Sequence, residues 1–324
     1  MTHRFPPLAL SALTAVTCLA LVRCSSTTIT NAATPLPDQE AGAEEDAGPI
    51  VDEDASIPAT CPTTEKATVL ATISDPAIAE ASGIGASTKN PGIFWVHNDS
   101  GDTARTFAVD SKGALRATVS FDTVKPTDIE DMAIEDDGAS SNLYFGDIGD
   151  NGEARASLTV HRVAEPKLGT GAAETLTVTS EKMTVVYPDG PHNAETLLFD
   201  PIDKVLLIFT KRSGGPAAFH RIGAFAAGTK ATTKKIAEFT FDLATGGEIS
   251  RDGKYIAIRN YTNVGYLWVR APGESLDDAL ARAPCKIPIA TEAQGEAFDF
   301  LPDRAGYVTT TEGASPALTR TLFR

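Results

Sequence analysis

From residue 66 onward, short apolar runs alternate with clusters of Gly, Asn, Asp and Pro. Ile93-Phe94-Trp95-Val96, Leu143-Tyr144-Phe145, Lys204 to Phe209 and Tyr255-Ile256-Ala257-Ile258 are rich in β-branched and aromatic residues, the mark of buried strands between turns. Helical spacing is confined to Ser275–Ala283, a short capped segment in a loop. Five segments share one plan, an acidic or Gly residue followed by strand, polar turn and strand. They begin at Glu80, Glu130, Glu195, Gly247 and Glu296, at offsets of 50, 65, 52 and 49 residues. Each of the first four is followed by two more strand-like runs, such as Arg105–Val109 and Leu115–Phe121. Four strands in about fifty residues make a propeller blade. The fifth unit ends after Ala317–Phe323, one strand short, and Ala67–Thr72 belongs to no other blade. The pattern therefore predicts an all-β fold, a single β-propeller of five blades closed by its N-terminal strand. Six blades result if the 65-residue repeat divides.

The first sixty residues follow a different rule. Residues 1–24 run without charge from Phe5 to Val22 behind Arg4, the pattern of an export signal rather than a permanent membrane span. The run ends in Leu21-Val22-Arg23-Cys24-Ser25-Ser26, which resembles a bacterial lipobox, although Arg23 stands where a small residue is usual. Cys24 is the first candidate for lipidation, and Cys18, after Ala15-Val16-Thr17, is the second. Residues 25–60 contain eight acids and no base among Ser, Thr, Ala and Pro, the composition of a solvated spacer. The expected organisation is signal 1–24, acidic tether 25–60 and propeller 61–324. The protein is expected to be an exported monomer held on the bacterial envelope by its lipid alone, facing the periplasm or the outside.

Composition narrows the partners. The 324 residues hold 28 Lys and Arg against 43 Asp and Glu, and the folding part keeps nine more acids than bases. Nucleic acid is not expected, because counterion release needs clustered cations. Anionic membrane surfaces are poor partners for the same reason. Cys61 and Cys285 flank the proposed closure and form a candidate disulfide in an oxidising compartment, with two free thiols as the alternative.

Blade topology puts the start of each inner strand and the loop after each second strand on one face. Glu80, Glu130, Glu195 and Glu296 are expected around the channel mouth there, joined by Asp147 and Asp150. Converging carboxylates repel unless a cation or proton intervenes, and hard oxygens suit Ca²⁺. The alternative is that these glutamates cap neighbouring backbone N–H groups. His97, Asn98, Asp99, Asn151, Lys211, Arg212, Arg259 and Asn260 complete the candidate ligand face. The stretch from Asp147 departs from a calcium-loop template, with Gly149 at its third position. No nucleophile elbow, zinc-binding H-E-x-x-H, C-x-x-C or phosphate-binding P-loop is present.

Asp128-Ile129-Glu130-Asp131-Met132-Ala133-Ile134 resembles the opening blade of the β-propeller phytases, with Met132 in place of the usual proline. The resemblance implies Ca²⁺ in an acidic central channel and cleavage of phosphate esters, with Lys211, Arg212 and Arg259 as the available cations. More broadly, residues 66–324 resemble exported phytase-like and TolB- or NHL-like propellers. The leading expectation is a non-catalytic module that binds a small ligand or an envelope protein. A Ca²⁺-dependent phosphoric-ester hydrolase and a structural envelope part are the alternatives.

Overall fold

A computed structural model describes residues 60–122 and 124–324. The export signal, the tether, Cys18 and Cys24 lie outside the described residues.

The first strand among the described residues is β1 (Thr68–Thr72). Blade 1 follows as β2 (Ala81–Ala86), β3 (Ile93–Asn98), β4 (Arg105–Asp110) and β5 (Leu115–Phe121). Blade 2 contains β6 (Ile129–Asp136), β7 (Ser141–Asp147) and β8 (Leu158–Ala164), then β9 (Glu174–Val178) and β10 (Ser180–Val186). Blade 3 contains β11 (Ala194–Asp200), β12 (Val205–Thr210), β13 (Pro216–Gly223), β14 (Lys230–Thr232) and β15 (Lys234–Thr240). Blade 4 has β16 (Ala244–Ile249), β17 (Tyr255–Asn260) and β18 (Val264–Val269), then helix α1 (Leu276–Leu280) and β19 (Cys285–Pro288). Blade 5 has β20 (Gly295–Phe300), β21 (Gly306–Thr311) and β22 (Ala317–Leu322).

Five separate sheets result, and their innermost strands β2, β6, β11, β16 and β20 touch in sequence around a closed ring. The inner strands are buried along almost their whole length, so both faces of each pack against neighbouring blades. The only helix among the described residues is α1, started by Ser275, whose hydroxyl accepts from the Asp278 N–H.

β1 pairs antiparallel with β22 and completes blade 5. Thr64 forms an isolated bridge to Phe323, and the Cys61–Cys285 disulfide, with Cα atoms 5.6 Å apart, ties the same segment to β19 of blade 4. At the end of β1, the Thr72 carbonyl crosses so close to Gly113 that a Cβ there would lie 2.0 Å from it; the φ of +81° at Gly113 also demands glycine.

The long second repeat is one blade and not two. β9 leaves blade 2 and joins β5 of blade 1 in a parallel pair, and β14 of blade 3 joins β10 of blade 2 likewise. Glu165, at the start of that excursion, is buried and accepts from Ser87 Oγ, Asn90 Nδ2, Trp95 Nε1 and Ser141 Oγ.

Inner strands are also sheet edges, so their channel-side N–H groups need partners. Asp131 accepts from Leu197 N at 3.0 Å, Glu248 from Phe199 N at 3.2 Å, and Asp299 from Ala86 N at 2.6 Å, each across a blade boundary. Arg251, 2.9 Å from Asp299, supplies the counter-charge.

Candidate functional site

One irregularity, repeated five times, builds the mouth. In every blade the pairing of the first two strands slips by one residue near the start of the inner strand. The extra residue is Ser82 in blade 1, Glu130 in blade 2, Glu195 in blade 3, Thr245 in blade 4 and Glu296 in blade 5. A bulge of this kind re-aims its side chain away from the pleat. A second tier comes from the residue after the second strand, whose N–H bonds the carbonyl just before the inner strand. Asp99, Lys211, Tyr261 and Glu312 hold this position through Glu80, Asn193, Leu243 and Gln294. In blade 2 the equivalent bond runs from Gly149 to Asp128.

This register corrects the expected ring in blades 1 and 4. Glu80 is exposed and precedes β2, so blade 1 contributes Ser82 to the inner tier and Glu80 only to the rim. In blade 4 the equivalent residue is Thr245, two positions before Gly247. Ser82 Oγ donates to the Glu130 carbonyl, and Thr245 Oγ1 donates to the Gly295 carbonyl at 2.8 Å.

Glu130, Glu195 and Glu296 are all buried. Burial pushes all three carboxyls up: Glu130 to about 11, Glu296 to about 9 and Glu195 to about 7. After burial, the facing charge of Glu195 is the next cause at both Glu130 and Glu296. Glu195 rises least because Lys211 Nζ contacts it. Asp128 and Glu312 are raised as well, first by burial and then by Asp99. One oxygen each from Asp99, Asp128 and Glu130 lie within 4.8 Å of one another. Asp99 Oδ1 is buried with no hydrogen-bond partner. At Gly149, a Cβ would sit 2.2 Å from both Asp128 Oδ2 and Glu130 Oε1, so the missing side chain leaves that space to the carboxylates. Three hard oxygen donors, one of them orphaned, fit a Ca²⁺-like ion completed by water.

The caps found in the fold bear directly on the ring. Asp131, Glu248 and Asp299 take the backbone N–H groups. Among the described residues, no backbone N–H donates to the carboxyls of Glu130, Glu195 or Glu296.

Several expected site residues are committed elsewhere. Asp147 accepts from Thr127 N and Asp128 N at 3.0 Å and pairs with Arg155 at 2.7 Å, so it holds the loop that presents Asp128. Asp150 accepts from Ala154 N and Arg155 N and closes a turn. Asn98 ties Ala77 O to Asp102, and Asn151 accepts from Asn193. Asn260 closes its own turn through Thr262 and Val264. Arg212 pairs with Glu153 and donates to His192. Arg259 is wholly buried on Glu292, 2.5 Å away, and unavailable to a ligand. His97 is buried, its Nδ1–H donating to Asn98 O and its ring lying over Gly83; burial lowers its pKa and keeps it neutral. Ser82, Thr245 and Tyr261 are the mouth residues that sequence reasoning missed; the bulge register identifies the first two, and the backbone bond to Leu243 places Tyr261.

In chelator, the three glutamates contribute a pH response to the domain's stability. Unfolded, each carboxyl loses its proton near its ordinary value of 4.5; folded, it keeps the proton up to about 7, 9 or 11. Stability therefore falls as pH rises above about 4.5, by up to about 1.4 kcal/mol per pH unit for each group in its window. Asp102 and Asp252 act the other way: burial raises both, but hydrogen bonds and ion pairs outweigh it and hold them low, so their support is lost only in acid. Melting in chelator is expected to be several degrees higher at pH 5.5 than at pH 8.5, with a flatter slope in Glu130→Gln. A melting temperature that climbs steadily from pH 5 to 9 rules this out.

Fold and mouth together define a five-bladed β-propeller with an acidic axial funnel. No family of known proteins matches the chain, and no curated protein matches it. The likeness to the phytase-like propellers rests on the Asp128–Ile134 heptapeptide alone.

Proposed function

We propose that residues 61–324 form a binding module whose site is the acidic mouth, organised by a divalent cation of the Ca²⁺ type on Asp99, Asp128 and Glu130. One observation carries this reading: the glutamates of the mouth are buried at a cost in charge repulsion, yet the strand-edge capping that would explain them is done by other acids. A bound cation lowers the carboxyl pKa values and removes the repulsion. The neighbouring rim, with the exposed Glu80 and Gln294, is where a small ligand or protein partner meets the ion. Export and a lipid anchor at Cys24 or Cys18 belong to the same proposal, supported by the charge-free run of residues 5–22. Among the described residues no helix is long and apolar enough to cross a membrane.

A phosphoric-ester hydrolase is less well supported by this geometry. Lys211 is engaged by Glu195, Arg212 by Glu153 and Arg259 by Glu292, so each cation suited to a phosphate already has a carboxylate.

Calcium is expected to raise the melting temperature, since a ligand at a hundred times its Kd stabilises by about 2.7 kcal/mol. The gain grows from pH 6 to pH 8, because binding competes with protons at Glu130. Asp99→Asn and Glu130→Gln abolish it. Gly149→Ala also removes it while keeping every carboxylate, because the new methyl group occupies the space beside Asp128 and Glu130. Calorimetry showing no Ca²⁺ heat and no thermal shift at pH 8 would falsify the cation site.

A further inference from the structure

The seam disulfide joins two unlike cysteines. Cys61 is exposed, on the segment that leads into β1. Cys285 opens β19 and is buried among Leu267, Ile287, Phe298 and Tyr307. Backbone contacts hold the exposed partner's segment without help from the sulfur bond. Glu65 N donates to Leu322 O at 2.7 Å, Arg324 N donates to Thr63 O at 2.9 Å, and Thr64 bridges Phe323. A reduced seam therefore keeps Cys61 beside Cys285, with one thiol open to solvent and the other closed off. Exchange proceeds by attack of a thiolate on a disulfide sulfur, so access decides which cysteine meets a reagent. The two positions lie 224 residues apart in the chain and come within 5.6 Å, Cα to Cα, across the closed ring.

We propose that Cys61 is a thiol–disulfide exchange site, the point at which a reactive disulfide oxidant is joined to the assembled propeller, and that Cys285 is the resolving thiol. The Cys61 thiolate attacks the oxidant; the oxidant's disulfide breaks, and the departing sulfur takes up the proton that Cys61 gave up. Cys285 then loses its proton and attacks Cys61 Sγ. The bond from Cys61 to the oxidant breaks, and the second sulfur leaves with that proton. Two electrons pass from the chain's thiols to the oxidant's disulfide. A small disulfide such as oxidised glutathione and a protein with a Cys-X-X-Cys disulfide share this chemistry. The reverse route starts reduction at the same sulfur and returns Cys285 to its apolar cluster, so the ring is clasped and unclasped from one side.

The full chain with Cys18→Ser and Cys24→Ser, reduced by a phosphine without denaturant, tests this. Peptide mapping after a short exposure to iodoacetamide is expected to show Cys61 alkylated about tenfold faster than Cys285, with circular dichroism unchanged. With oxidised glutathione, Cys285→Ser should accumulate a stable mixed disulfide at Cys61, whereas Cys61→Ser should acquire none until urea unfolds it. The chain with both seam cysteines should pass through the Cys61 adduct and end as the native bond. An oxidised Cys-X-X-Cys protein is run in parallel. Faster closure than with glutathione at equal concentration marks the oxidant as a protein, and equal or slower closure marks it as the small disulfide. Acid quenching of the oxidised protein exposed to reduced glutathione gives a readout that needs no reduced seam, with the adduct expected on Cys61. Equal alkylation of the two cysteines, or glutathione on Cys285 of folded protein, overturns the proposal. So does loss of the fold on reduction, because exchange at Cys61 then has no assembled ring to close.

Discussion

A chain that starts at Ile73 is expected to unfold or aggregate under conditions where one starting at Thr60 melts cooperatively. The thirteen residues removed contain little apolar bulk: Val69 is 64% exposed and β1 is at most half-buried. Their weight lies in connection. β1 supplies the outer ladder of β22, Thr64 bridges Phe323, and Cys61 binds blade 4 covalently across the seam. Removing a native disulfide alone typically costs about 2–5 kcal/mol. Loss of the strand also leaves β22 as an open edge, a template for pairing between chains. Domains of this kind hold a net stability of about 5–15 kcal/mol, so the combined loss approaches the whole. Cys285→Ser separates the two effects. It should lower the melting temperature by several degrees and leave the fold intact, whereas the truncation should abolish cooperative melting. Equal melting temperatures for the two truncated chains would show that the seam carries no load.

Glu165→Ala is expected to be the most damaging single substitution among those considered, at about 3–5 kcal/mol, because several buried donors lose one acceptor together. Its carboxylate gathers the indole N–H of the fully buried Trp95, the Asn90 amide, and the Ser87 and Ser141 hydroxyls. Truncation leaves these donors without partners in a dry site, and each unsatisfied group costs about 1–3 kcal/mol, partly recovered by relaxation. The same residue starts the excursion that carries β9 onto blade 1, so the loss should loosen the bond between blades 1 and 2. Glu165→Gln keeps an acceptor for most of the donors and should cost markedly less. Urea unfolding of both variants decides it; a drop below about 1 kcal/mol for Glu165→Ala, less than one orphaned donor should cost, would show that the network is dispensable.

The 65-residue repeat shows where sequence reading works and where it stops. The apolar runs at β6 and β7 are visible because burial on both faces demands continuous hydrophobic strands. The extra strand at Glu174–Val178 is marked by no apolar run, since its residues are at most half-buried, and its partner is marked by nothing either. A parallel pairing with β5 of the preceding blade involves backbone groups and leaves no mark in side-chain periodicity. The helix at Ser275 was legible because capping is local chemistry. The Cys61–Cys285 bridge was legible only as a candidate, since the two positions are 224 residues apart and only the closed ring brings them together.

By itself, the sequence determined the all-β class, the five repeats, the strand that closes them and the acidic character of the channel, because each depends on composition and period. The tertiary structure alone decided which acids form the site. A single inserted residue in each inner strand reverses which side chain leaves the sheet, so a misalignment of two positions exchanged Ser82 for Glu80 and Thr245 for Gly247. Equally, Arg259 and Lys211 look alike along the chain, yet one is sealed on Glu292 in the core and the other stands in the mouth against Glu195. Charge in a sequence is only a count; its function depends on which opposite charge the fold places within reach, and how much water it leaves between them.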